Sequence, residues 1–66
     1  EAALAWYHKA AALGHPRSMA SIAGFYEQGR GVARDIALAR TWYRKAADAG
    51  DKDAKAWLEK HPQNSP

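Results

Sequence analysis

The side chains of this 66-residue chain that could carry chemistry stand at spacings that do not assemble it. His8, His15 and His61 are the residues for metal binding or proton transfer, yet no two are four apart and no His-Glu-x-x-His run occurs. Two imidazoles one helical turn apart are the spacing by which a helix holds a zinc ion, and with none present no metal site is expected. Ser18 and Ser21 have no histidine or acidic partner within helical reach that would complete a nucleophilic triad. Asp51 and Asp53 fall where a helix begins, and there carboxylates cap free amides rather than pair as acid and base. Gly29-Arg30-Gly31 lacks the further glycine and the preceding strand that a dinucleotide or phosphate loop requires, and it reads as a turn. Cysteine is absent, which excludes disulfides, zinc ribbons and thiol catalysis together. The expectation is a non-enzyme: no catalytic residue, no metal ligand and no cofactor.

Binding chemistry has better candidates. Trp6, Tyr7, Trp42 and Tyr43 could stack bases or sugars. They also lie on stripes of alanine, and burying one such ring contributes roughly 1.5–3 kcal/mol, so packing between neighbouring units is the preferred reading. Arg30, Arg34, Arg40, Arg44 and Lys45 could follow a phosphate backbone or anionic lipid. The net charge is only +3, however, with Glu27, Asp35 and Asp48 interspersed and Asp48 placed one turn from Arg44. A solvated face is preferred, and nucleic acid is disfavoured as a partner.

The elements that must position these residues are helices. One valine and two isoleucines argue against strands, and sixteen alanines favour helix and close helix approach. Trp6-Tyr7-His8-Lys9-Ala10-Ala11 returns as Trp42-Tyr43-Arg44-Lys45-Ala46-Ala47, an offset of 36 that brings Gly14 onto Gly50 and Ala3 onto Ala39. A period of this length belongs to helical-hairpin solenoids. Stop and start signals give helices over 1–13, 16–28, 35–49 and 51–61 as one segment, with Gly14 and Gly50 as stops, Asp35 and Asp51 as caps and His15-Pro16 as a start. Ser18, Ile22 and Tyr26 mark the inward face of the second helix, and Ala39, Trp42, Tyr43, Ala46 and Ala47 that of the third. Ala54, Trp57, Leu58 and His61 share one side of the fourth, Pro62 stops it, and the tail 62–66 is expected to be disordered. No run of about 18 apolar residues occurs, so no membrane span is expected. The chain opens on Glu1, and it reads as a fragment whose targeting information lies elsewhere.

The stretch Gly14, Ser18, Ile22-Ala23, Tyr26, Gly29-Arg30-Gly31-Val32, Asp35, Ala39, Trp42-Tyr43-Arg44-Lys45-Ala46-Ala47 and Gly50 resembles a Sel-1-like repeat, a relative of the tetratricopeptide repeat. The resemblance covers about residues 1–58, as one full repeat with a half repeat on each side. It departs from the family pattern at Ser18, usually alanine, at Ala23, usually glycine, and at Glu59, where a small residue belongs; the last departure suggests that the fourth helix is a terminal cap. The resemblance implies an all-α, right-handed αα-superhelix of antiparallel helices. It implies a protein or peptide partner for a non-enzymatic scaffold module of a larger, bacterial protein, in the periplasm, cell envelope or cytoplasm. A cell-wall or polysaccharide-binding envelope module is the alternative. In such a solenoid the first helix of each hairpin lines the inner face. On the second helix the side away from Ile22 presents Arg17, Ser21, Gly24 and Gln28, and the offset of 36 carries Arg17 onto Asp53 and Ser21 onto Trp57. The expected partner-binding residues are therefore Arg17, Ser21, Gln28, Asp53 and Trp57. Trp57 either faces this groove or folds over the end of the core. Fewer than two repeats make a small core, so the segment is expected to lean on adjacent repeats or to self-associate through an end face around Ala3 and Trp6.

Overall fold

The computed structural model describes residues 2–61, which form four helices: α1 (Ala2–Ala12), α2 (Pro16–Gln28), α3 (Ile36–Asp48) and α4 (Lys52–Lys60). There is no strand among the described residues, and the all-α hairpin fold expected from the sequence is the fold observed. Glu1, Pro62 and the tail 62–66 lie outside the described residues. Successive helices pack on one another, most extensively α2 on α3. The start of α3 meets the end of α4, with Arg40 bonded to the His61 carbonyl, so these two run antiparallel. The molecule is 13 Å through its thinnest dimension, which is two helix layers at a spacing of about 8–10 Å.

The helix ends show why this sequence breaks where it does. After α1, the Gly14 amide donates to the Ala11 carbonyl at 2.9 Å and the His15 amide to Ala10 at 3.3 Å. After α3, Gly50 donates to Ala47 at 3.0 Å and Asp51 to Ala46 at 2.9 Å. The same reverse-bonded stop thus recurs at both copies of the repeat. It needs a left-handed residue, which Gly14 (φ 89°) and Gly50 (φ 111°) supply without a side-chain clash.

The starts differ from copy to copy. The Asp51 carboxylate accepts the Ala54 amide at 2.8 Å and Asp35 accepts the Leu38 amide at 3.0 Å. His15, in the position matching Asp51, makes no side-chain cap bond; Pro16 begins α2 instead. Asp51→Ala is therefore expected to cost about 1 kcal/mol, and His15→Ala less than about 0.5 kcal/mol, as read from urea denaturation midpoints.

The core is thin. Leu4, Ala11, Ile22, Ala23, Ala39, Ala46 and Ala54 are buried, and Ile22 is the one large side chain among the described residues to be wholly enclosed. Alanines at the crossings let the helices approach closely, and Met19, Phe25, Tyr26, Val32 and Trp42 close the sides, each half-buried. Packing between units describes Trp42, which meets His8 edge-on at 5.4 Å, and Tyr43, which stacks on Trp57. It does not describe Trp6, which is 72% exposed. Trp42 has α1 to rest on, and no described helix lies on the matching side of α1.

Candidate functional site

The face of α2 opposite Ile22 is set by helical geometry: positions 17, 21, 24 and 28 follow at three and four residues and share one side. Arg17 and Gln28 on it are exposed, and Ser21 and Gly24 are half-buried. Next to this face lies the matching face of α4. Arg17, Ser21, Asp53 and Trp57, four of the five residues expected at the groove, come together around one open cleft of about 340 Å³, with Tyr43 and Asp51 completing its walls. The fifth, Gln28, does not join them. It borders a second cleft of about 230 Å³ nearer α1, with Tyr7, Ser21, Gly24, Phe25 and Arg30. Ser21 stands between the two.

Trp57 is half-buried, and it combines the two alternatives that the sequence leaves open. Its indole stacks on Tyr43 at 4.2 Å and on His61 at 4.2 Å, yet it still borders the cleft. Two polar contacts of its own fix it there, and a third braces the carboxylate it meets. The indole Nε1 donates to Glu27 Oε2 at 3.0 Å. The Tyr43 hydroxyl donates to Glu27 Oε1 at 2.9 Å. His61 Nδ1 lies 2.8 Å from the Trp57 carbonyl oxygen. One carboxylate of α2 thus ties together α3 and α4. Sequence reasoning placed Glu27 only among interspersed surface charges. The signal it lacked was the rotation of α2, since 36 residues beyond Glu27 no described position repeats it.

The electrostatics follow from this arrangement. Burial pushes the Tyr43 phenol well above its usual range, and the hydrogen bond to Glu27 and that residue's negative charge push it further. The basic residues are largely committed to the fold. Arg34 Nε donates to the Glu27 carbonyl at 2.9 Å, Arg40 Nη2 to the His61 carbonyl at 3.5 Å, and Lys45 lies 4.6 Å over Trp42. Arg30 lies 5.8 Å over Phe25. Among the described residues no three His, Asp or Glu side chains come together as a metal site would require, and no helix is long and apolar enough to cross a membrane.

The model of the Sel1 repeat matches residues 1–15 and 16–51. Among curated proteins the chain is 42% identical over 65 residues to chitin synthase regulatory factor 3 of Schizosaccharomyces pombe, covering 98% of this chain and 7% of that protein. It is 40% identical over 52 residues to the chitin synthase regulator SKT5 of Saccharomyces cerevisiae, covering 79% of this chain and 8% of that protein. The chain therefore spans less than a tenth of either relative. Both are fungal, and they lend no support to the expected bacterial origin. No solved structure gives a significant match.

Proposed function

The chain belongs to the Sel1 repeat family, whose repeats mediate protein–protein interaction, and from that premise we propose that it is a non-enzymatic docking module whose partner binds across α2 and α4. The observation that carries this reading is the cleft itself. Two helices one repeat apart deliver Arg17, Ser21, Asp53 and Trp57 to a single opening. That opening offers a cation, an anion, a hydroxyl and an aromatic edge, a mixture suited to an extended peptide with side chains of both charges. Likeness to two regulators of chitin synthases supports, in this reading, a role for the parent protein in regulating a chitin synthase. The polysaccharide-binding alternative is weaker at this site. A sugar stacks on a free aromatic face, and Trp57 already has two rings stacked on it.

The test is affinity capture from the source-cell lysate with the wild type and with an Arg17→Glu, Asp53→Lys double variant. Both side chains are exposed, so the fold is expected to survive the exchange. A defined protein retained by the wild type and reduced at least about tenfold by the variant, a change of about 1.4 kcal/mol, supports the reading. Equal retention by both baits rejects the site, and recovery of glycan or nucleic acid in place of protein rejects the function.

A further inference from the structure

The repeat supplies its own template for a second binding site. In the later copy, Tyr43 of α3 and His61 at the end of α4 both stack on Trp57. Thirty-six residues earlier the same three positions are Tyr7, Phe25 and Ser21. Tyr7 and Phe25 are both aromatic and their ring centroids are 5.6 Å apart, tilted at 48°, but the position between them in the pattern holds a serine where the other copy holds an indole. With no indole to part them, the two rings have closed on each other, and beside them remains a cleft of about 230 Å³ bordered by Tyr7, Ser21, Gly24, Phe25, Gln28 and Arg30. Gly24 adds no side chain to it. Arg30 is the one charged residue on its border, with its guanidinium 5.8 Å over the Phe25 ring.

We propose that this cleft between α1 and α2 takes an aromatic side chain of the partner, flanked by a carboxylate, against the Tyr7 and Phe25 rings and beside the position that Trp57 fills one repeat later. The aromatic requirement comes from the two rings and the missing indole. The acidic requirement comes from Arg30, which is exposed on the cleft border and has no acidic residue beside it there. Gln28 and the Ser21 hydroxyl supply neutral hydrogen-bonding groups beside it. This assignment rests on the docking reading above and specifies its partner: an acidic peptide segment with a tryptophan or tyrosine.

An NMR titration of the 66-residue chain with N-acetyl-tryptophan tests it. Amide shifts concentrated at Ser21, Gly24 and Phe25 are expected, at least about threefold weaker with the uncharged N-acetyl-tryptophanamide and absent with N-acetyl-leucine. Ser21→Trp places the chain's own indole in the slot and is expected to abolish the response. Should that variant lose its helical circular dichroism, Arg30→Gln decides instead: it is expected to weaken the anionic probe and leave the amide probe unchanged. Shifts centred elsewhere, an equal response to leucine, undiminished shifts in a folded Ser21→Trp, or an undiminished response of Arg30→Gln to the anionic probe overturn the assignment. Arg17→Glu with Asp53→Lys is expected to leave this titration as it is, so failure of the main cleft and failure of this slot are separately visible.

Discussion

Ile22→Ala is expected to unfold most of the chain at 25 °C. Ile22 has no exposed surface, and the other wholly enclosed residues, Ala23, Ala39, Ala46 and Ala54, have only a methyl group each to bury. Truncating a buried isoleucine costs about 2–5 kcal/mol, made of the lost transfer energy and the cavity left behind. A core of this size seldom supplies more than about 3–5 kcal/mol in total. The cost therefore matches the whole stability. Leu4 and the half-buried Met19, Phe25, Tyr26, Val32 and Trp42 belong to the same cluster, and their partial collapse would recover only some of the cavity cost. The measurement is thermal and urea unfolding followed by circular dichroism, beside Ile22→Val as the control. Valine removes one methylene and is expected to cost about 0.5–1.5 kcal/mol, leaving a cooperative transition. An alanine variant that melts within a few degrees of wild type would mean that stability resides elsewhere, in the aromatic stack around Trp57 above all.

The contrast between Ile22 and Glu27 shows what the amino-acid order makes legible. Ile22 is plain from spacing alone: it sits on a helical stripe between two glycine stops, in a segment with few other large apolar groups. The stops themselves are legible because a left-handed backbone selects glycine, and Gly14 recurs as Gly50 at the offset of the repeat. The groove was readable for a related reason. Once the period is known, a face on α2 implies a face on α4, and the offset of 36 groups Arg17 and Ser21 with Asp53 and Trp57. Two features escaped, and a third was legible in part. Gln28 lies one turn too far along α2 and borders the neighbouring cleft. Trp6, like Trp42, lies on an alanine stripe, which reads as packed, while its exposure fits the end face expected around Ala3 and Trp6. Glu27 depends on how α2 is rotated against α3, and that rotation is fixed by contacts 16 and 30 residues away in sequence. Periodicity describes a helix relative to itself; it is silent on such contacts.

Glu27 is accordingly where the second large effect is expected, and its alkaline behaviour separates it from a packing defect. Glu27→Ala removes the acceptor of both the Tyr43 hydroxyl and the Trp57 indole amine. Bonds to a charged acceptor contribute about 1.5–3 kcal/mol each when well formed. The pair is only part-buried, so water replaces some of the loss and about 2 kcal/mol is the expected cost. Glu27→Gln is expected to be milder, about 1 kcal/mol, because its amide oxygen still accepts from Trp57 while its amide nitrogen can donate to the Tyr43 oxygen. Stability at high pH carries the distinguishing sign. The folded state holds the Tyr43 phenol protonated above its usual range, mainly through burial and then through Glu27. The unfolded chain releases that proton near pH 10. Folding is therefore unaffected by this group below pH 10 and loses stability as pH rises beyond it, because only the unfolded state gains by ionising. Replacing Glu27 by alanine removes the two smaller causes and leaves burial, so the alkaline slope should become shallower while the neutral-pH stability falls. A variant that is simply loosened would lower stability equally at pH 7 and pH 11. Urea midpoints at those two pH values, for wild type, Glu27→Ala and Tyr43→Phe, make the comparison, with Tyr43→Phe expected to abolish the alkaline slope due to this tyrosine. Equal slopes in all three would show that the Tyr43–Glu27 bond is not formed in solution, and the Trp57 wall of the cleft would then lack the anchor that holds it in place for a partner.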